Sequence, residues 1–429
     1  METKDTGDAM PRRGFVKGAA AAGAVLGSAP LVGLKAQGSN KKLKVGLIGA
    51  GGRASGAIND HMEAVKVIND KLSWGLEVKL VAACDWEQGK AANTAKAYGC
   101  PADKCYGGAD GYQKVIAAGP DIIITATPPA FRPLHFEAAI KAGKHVFFEK
   151  PVAVDPNGVR RVIAAGEEAK KKGLSVVAGT QRRHSQGYNE RWQAIKEGLY
   201  GRIMGGRVSW CMGKIFGNTP INPKNPIDLA GGGRWQLWVE MSGDHIVEQH
   251  VHNIDVANWY LQSHPLSARG FGWRARRKAG NMYDFFSVDL EYPNGVHIHS
   301  MCRQVGDCWN WVGEDFTYEK GGGKPKEPAP YSDLPRKGND YVDEHIHLLC
   351  SIVKGKEPIN EAQNVAWATG AAILARESAY SGQEIKWSDM FENKSSPWYN
   401  LKMKPQPEDF ETGNLVYPQD GDIRIPGKA

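Results

Sequence analysis

The chain has 429 residues, a formal net charge of +7, 41% hydrophobic and 24% charged residues, so it can build two or three folded domains and is not compositionally disordered. No apolar run reaches the roughly 18 residues of a membrane-spanning helix. The charge is spread without like-sign blocks or a basic stripe interleaved with aromatics, which argues against a nucleic-acid partner.

Residues 11–17 read Pro11-Arg12-Arg13-Gly14-Phe15-Val16-Lys17 and run into a Gly/Ala/Val/Leu stretch from Gly18 to Leu34, with Ala36 at a plausible cleavage point. A basic start, a weakly apolar middle and a small residue at the cut predict a signal peptide over residues 1–36; the alternative is an N-terminal amphipathic helix. The arginine pair followed by Gly-Phe-Val-Lys resembles the twin-arginine export signal, which implies the export machinery as a partner and the periplasm as the destination. Seven cysteines leave at least one unpaired, and no spacing matches a zinc site. Cys100 with Cys105, or Cys302 with Cys308, can pair after export, but folding in a reducing cytoplasm favours buried thiols.

A first domain is expected over residues 41–178. The apolar stretch Lys44–Ile48 runs into Gly49-Ala50-Gly51-Gly52-Arg53-Ala54, a G-x-G-x-x-A pattern. Small residues there let the backbone turn sharply and approach a pyrophosphate at the start of the next helix. A second strand, Val78–Cys84, ends at Asp85, whose carboxylate can hydrogen-bond a ribose diol and repel a 2′-phosphate. Asp85 therefore favours NAD over NADP; its alternative role is a helix N-cap. The spacing from Gly51 exceeds the usual roughly 20 residues, which predicts an insertion around Asn69–Gly75. Strand-like runs at Asp121–Ala126 and Lys144–Glu149 alternate with helical stretches at Gln88–Tyr98 and Arg132–Ala142, as in a parallel Rossmann sheet. Gly49, Gly51, Gly52, Arg53, Asp85, Thr127, Glu149 and Lys150 are the candidate cofactor-binding residues.

Lys150 closes the last of these strands in Glu149-Lys150-Pro151. A lysine at the carboxyl end of a parallel strand lies where ligands sit in open α/β sheets. Its ammonium can hydrogen-bond a reacting oxygen and stabilise charge developing there. An isolated Lys-Pro would otherwise read as a surface residue, and the peptide bond between the two can be cis. With the glycine turn, this tripeptide resembles the signature of the Gfo/Idh/MocA oxidoreductases, over a span from about Lys44 to near Trp387. The resemblance implies a Rossmann domain joined to a second domain whose open sheet faces the nicotinamide. It also implies hydride transfer to or from a sugar or polyol carbon.

Gly243 to Trp259 reads as one helix, with Val247, Val251 and Ile254 at helical spacing. The family pattern D-x-G-x-H falls there on Glu248 and His252, with Glu in place of Asp and His250 in place of Gly. His252 is the candidate general base, since an unperturbed imidazole titrates near pH 6.5. Glu248 is a candidate to orient it or to bind a substrate hydroxyl. His245, Glu248, Gln249 and His252 would share one face of such a helix, where a metal is an alternative to a cleft lined by hydrogen-bonding groups; no metal is expected. Arg183 and His184, after the strand Leu174–Ala178, are candidate substrate contacts, with a structural salt bridge as the alternative for Arg183.

The second domain, residues 179–398, carries strand-like runs at Arg207–Gly213, Gly270–Arg274, Phe285–Tyr292 and Gly295–Gln304, with a turn at Tyr292-Pro293-Asn294-Gly295. These predict an α+β domain with a large, mainly antiparallel open sheet. Helices are expected at Tyr341–Lys354 and Pro358–Ser381. Trp210, Trp235, Trp238, Trp309 and Trp311 are candidates to stack on sugar rings or to pack in the core. Residues 399–429 read as an extended tail that wraps or docks on a neighbour. Together these features lead to an exported NAD(P)-dependent oxidoreductase, homo-oligomeric, moving hydride between a tightly bound cofactor and a hydroxyl or ketone carbon of a sugar or glycoside. The alternatives are an NAD-dependent glycosidase working by transient oxidation and elimination, and a non-catalytic sugar-binding protein.

Overall fold

The computed structural model describes residues 40–213, 224–231, 234–355 and 357–427; the expected signal peptide lies outside them. Six parallel strands form the first sheet: β1 (Lys42–Ile48), β2 (Glu77–Cys84), β3 (Cys105–Tyr106), β4 (Ile122–Thr125), β5 (His145–Phe148) and β6 (Val176–Ala178), in the order β3-β2-β1-β4-β5-β6. Helices cover both faces, so the central strands are apolar throughout rather than alternating; Val45 to Ile48 and Ile122 to Thr125 are buried without interruption. The order reverses direction between β1 and β4, which opens a crevice at the carboxyl ends of the strands.

Helix α1 (Gly52–Leu72) is 21 residues long. The extra spacing between the glycine turn and Asp85 lies in the final turn of this helix and a short loop, pinned where Asn69 Nδ2 donates to the Leu76 carbonyl (2.9 Å) and Asn69 Oδ1 accepts from the Leu76 amide (2.7 Å). Downstream come α2 (Gln88–Lys96), α3 (Gly111–Ala117), α4 (Arg132–Lys141), α5 (Pro156–Lys171) and α6 (Gln186–Lys196).

The second sheet contains β7 (Ile203–Met212), β8 (Ser267–Trp273), β9 (Phe285–Tyr292), β10 (Val296–Gln304), β11 (Trp311–Tyr318) and β12 (Ile385–Lys386), in the order β11-β7-β10-β9-β8-β12. Only β7 and β10 pair in parallel. The β9–β10 hairpin turns through Pro293–Gly295 as its sequence predicts, with Asn294 at φ 65°. Along β9, Phe286, Val288, Leu290 and Tyr292 are buried and the residues between them are half-exposed, which marks one covered face.

The region expected to be one helix is two: α7 (His245–Glu248) and α8 (Val251–Leu261). Asp244 sets the start of α7. It sits at φ 70°, fully buried, and its carboxylate accepts from the backbone of His245 (2.5 Å) and Tyr283 (2.8 Å) and from the Tyr380 hydroxyl (2.5 Å). At the far end of α7 the amides of Gln249 and His250 both reach back to the His245 carbonyl, and the helix register is lost. His245 and His252 therefore do not share a helical face, and the described residues contain no group of three or more His, Cys, Asp or Glu placed to hold a metal.

Two longer helices complete the fold, α9 (Asp340–Lys354) and α10 (Ala362–Ser381). Helix α9 packs on α1, and Val342, Ile346, Leu349 and Ile352 join the same hydrophobic cluster as Val45, Ile58 and Leu80. The core of the first domain thus recruits residues far beyond 178. Helix α10 lies between the second sheet and α5. Its buried Arg376 donates to the carbonyls of Val154 (2.9 Å) and Gly243 (3.0 Å), tying the halves together. The C-terminal tail docks on its own chain: the Met403 amide donates to Asp155 Oδ2 (2.9 Å), and a short helix, α11 (Pro407–Thr412), follows. All seven cysteines are free thiols, six of them buried and Cys308 exposed.

Candidate active site

The glycine turn is built by sterics. Gly49 sits at φ 91°, where an added Cβ would lie 3.2 Å from the Ala126 carbonyl carbon and the Thr127 amide, so neither the conformation nor the space admits a side chain. Gly51 and Gly52 face nothing within 4 Å. Helix α1 begins there with no side-chain cap and no acidic residue in its first turn, leaving its amides and positive dipole end open to an anion.

Asp85 secures the turn: its Oδ2 accepts from the Ala50 amide (2.8 Å) and its Oδ1 from the Glu87 amide (3.2 Å). A cavity of about 380 Å³ opens in front of these groups. Of the predicted cofactor-binding residues, Gly49, Gly51, Gly52, Asp85 and Thr127 line it, joined by Trp86, Lys90, Tyr112 and Phe131. Ala230, Gly231 and Trp235 close it from the second domain. Thr127 Oγ1 lies 3.1 Å from His135 Nδ1, and Arg132 donates to the Thr127 carbonyl (2.8 Å). Open space at Gly51 and Gly52, free amides and a carboxylate at the end of β2 fit a dinucleotide with a ribose diol.

Arg53 and Glu149 lie beside this cavity rather than in its wall. Arg53 Nε donates to Glu149 Oε1 (2.6 Å), and Nη2 reaches Asp60 (3.3 Å) and Glu344 (4.0 Å). These carboxylates together raise the guanidinium's affinity for its proton. Glu149 is buried, and Gly179 makes room for it: a Cβ there would overlap the Glu149 carboxyl. Glu344 is buried without a hydrogen-bond partner, and burial followed by repulsion from Glu149 pushes its carboxyl well above the ordinary range.

Lys150, Glu248 and His252 come together at the carboxyl end of β5. The Lys150–Pro151 peptide is cis. Lys150 Nζ donates to the Glu248 main-chain carbonyl (2.7 Å) and lies 3.8 Å from Glu248 Oε1. The helix break explains the first contact. In a continuous helix the Glu248 carbonyl would accept from the His252 amide, but that amide turns to Gln249 (3.4 Å). The Glu248 Oε2 atom is buried and unpartnered among the described residues. His252 is 6% exposed and its ring stacks on Trp210 at 5.6 Å. Burial, then the positive charges of Lys150, Arg182 and Arg53, drive its pKa well below 6.5, so the imidazole is neutral at ordinary pH.

Arg183 and His184 are held elsewhere. Arg183 makes a bidentate ion pair with buried Asp255 (2.8 Å), and its guanidinium lies 5.1 Å from the Trp259 ring. Arg183 thus forms the salt bridge that the sequence offered as the alternative to a substrate contact. His184 is fully buried, 2.7 Å from His347 Nδ1 and 3.2 Å from Glu361. The neighbouring Arg182, which the sequence reading passed over, faces His252 and Trp210 instead. Its Nη1 donates to Glu314 (2.6 Å), and the other Glu314 oxygen accepts from Tyr188 (2.8 Å). Trp235 lines the cavity, Trp210 stacks on His252, Trp238 is buried core, and Trp309 is 61% exposed.

A family model described as an oxidoreductase family with an NAD-binding Rossmann fold matches residues 43–178, and a second, described as the GFO/IDH/MocA C-terminal domain, matches residues 188–308. The chain is 30% identical over 360 residues to the inositol 2-dehydrogenase of Cereibacter sphaeroides, covering 80% of this chain and 94% of that protein. It is 29% identical over 197 residues to the 2,7-anhydro-N-acetylneuraminate hydratase of Escherichia coli (strain K12), covering 44% of this chain but only 47% of that protein. In fold it resembles the WlbA dehydrogenase of Bordetella pertussis in complex with NADH and UDP-GlcNAcA, with a TM-score of 0.60, 21% identity, and 81% and 98% of the two chains covered.

Proposed function

The chain belongs to the Gfo/Idh/MocA family of NAD-binding oxidoreductases, and from that premise we propose that it oxidises a secondary hydroxyl of a cyclic polyol, sugar or glycoside to the ketone, or reduces the ketone back. The observation that carries the reading is the junction of Lys150, Glu248 and His252 at the carboxyl end of β5, in the sheet whose other strand ends (Ile48, Cys84 and Ala126) border the dinucleotide cavity. The chemistry that a nicotinamide dinucleotide supplies when bound is hydride exchange with a carbinol carbon. The amides at Gly51 and Gly52 would hold its pyrophosphate and Asp85 its adenosine ribose, which favours NAD over NADP.

The chain's own residues manage the proton and the geometry. The His252 ring is neutral and accepts the hydroxyl proton at a ring nitrogen. Trp210 fixes the plane of that ring. Lys150, held by the Glu248 carbonyl, keeps an N–H for the reacting oxygen and stabilises it as negative charge grows. Glu248 Oε2 accepts a neighbouring hydroxyl, which answers its lack of a partner. Arg182, braced by Glu314, frames the far side of the cleft.

The twin-arginine-like segment at Arg12-Arg13 supports export of the folded, cofactor-loaded protein to the periplasm, and the seven unpaired thiols suit folding in a reducing compartment. Exposed Phe271, Trp273 and Trp309 on the second sheet and its flanking loop support self-association. Extracting the cofactor from protein purified out of the periplasm tests these points together. NAD is expected; a cofactor-free protein, or NADP, would overturn the reading of retention or of Asp85.

A second reading, glycoside cleavage or hydration through transient oxidation, is favoured by one finding: a relative named as a hydratase adds water rather than performing net oxidation. Product analysis without an external hydride acceptor separates the two. A ketone with reduced cofactor supports the dehydrogenase; a cleaved or hydrated product with the cofactor still oxidised supports the alternative.

A further inference from the structure

The wall of the dinucleotide cavity is not self-supporting. Trp86, Tyr112 and Phe131 line it, and all three are held from behind by the C-terminal tail. The buried Phe410 ring meets Phe131 at 4.8 Å (60° between planes) and Trp86 at 5.7 Å (80°). Glu411 Oε1 accepts from the Tyr112 hydroxyl (2.9 Å). The segment is rigidly mounted. Gln406 and Asp409 form a reciprocal capping box, Asp155 binds the Met403 amide and the Gln406 side chain, and Glu408 pairs with Arg161 (2.8 Å).

We propose that residues 403–412 are a strap on the cofactor cavity: by fixing Trp86, Tyr112 and Phe131, they slow release of the bound dinucleotide so that it stays through many turnovers. The inference rests on the cavity being the dinucleotide site. Three aromatic side chains braced by one segment move together, so a ligand packed against them is held more firmly while the segment stays docked. Phe410 and Glu411 are thus positioning residues for a ligand they do not touch.

The test is the rate of NADH release from the full-length protein, followed by the loss of bound-NADH fluorescence on chasing with excess NAD. Phe410→Ala is expected to speed release about tenfold or more, as loss of a packed aromatic ring allows. Glu411→Ala, at an exposed position, should speed it by a smaller factor with folding untouched. Asp420→Ala serves as the control: Asp420 anchors the tail to the Gly280 amide (2.6 Å), and neither residue lines the cavity or touches Phe410 or Glu411. Its release rate should match the wild type. Wild-type release from both Phe410→Ala and Glu411→Ala would overturn the strap, and so would equal acceleration in Asp420→Ala, which would mean general loosening. A wild-type protein that binds no NADH would overturn the assignment of the cavity itself.

Discussion

Burial beside three cations keeps the His252 imidazole neutral, and this fixes the sign of the pH dependence. Oxidation needs the neutral ring, so kcat/KM should be flat above pH 6.5 and fall only below it, as His252 gains its proton. A pH–rate profile with an acid limb centred at or above 7 would contradict the assignment. Lys150→Ala removes the donor to the reacting oxygen and should lower kcat/KM by about 100- to 1000-fold while dinucleotide affinity stays near normal. Stopped-flow turnover beside a cofactor titration separates those effects. Lys150 was singled out by its place at a strand end, and Glu248 and His252 by the family pattern they match; that the three sit together was not legible in the sequence. Arg182 was not: two adjacent arginines are equivalent on paper, and only the turn at Gln181–His184 decides which one enters the cleft and which one meets Asp255.

At the scale of elements, Gly49 and Gly51 make opposite predictions. Gly49→Ala places a side chain at φ 91° against the Ala126–Thr127 backbone and should cost about 1–3 kcal/mol of stability. Gly51→Ala meets empty space, so the fold should keep its melting temperature while the methyl group intrudes on the dinucleotide and weakens its binding by about tenfold or more. Thermal unfolding and a cofactor titration on both variants check the pair. The glycine turn and the strands around it were readable because buried parallel strands are plainly apolar. The break between α7 and α8 was not, since Val247, Val251 and Ile254 keep helical spacing across it. The start of α7 was equally hidden: Asp244 is held there by Tyr283 and Tyr380, residues distant in sequence. Strand β11 was missed for a related reason: at the sheet edge both of its faces are partly exposed, so its residues do not alternate cleanly.

Across the whole molecule, burial holds His61, His135, His245, His250, His252, His345 and His347 neutral, with His61 at about 4 and His135 and His250 at about 3. The unfolded chain takes up protons at these sites below pH 6.5 and the folded chain does not, so their contribution is complete above 6.5 and lost as pH falls. Asp244, raised to about 6, and Glu344, together with Asp60, Glu240, Asp255 and Asp343, which burial also raises, act in the opposite sense, but the seven histidines outnumber them. The melting temperature should therefore drop steadily between pH 6.5 and 4, and a flat profile over that window would count against this burial pattern. The two-domain plan was legible in sequence, whereas the packing of α9 on α1 was not, because nothing local in residues 340–354 names a partner so remote in the chain. The central claim is that His252 and Lys150 drive hydride transfer at a polyol or sugar carbon. Its most direct measurement is a single turnover of NAD-loaded protein with a panel of cyclic polyols and sugars, comparing wild type with His252→Ala. The wild type should reduce its bound cofactor with at least one of them, and the variant should hold the cofactor equally well yet react about 100- to 10,000-fold more slowly. Equal rates in the two proteins, or no reduction by any polyol or sugar, would contradict the account.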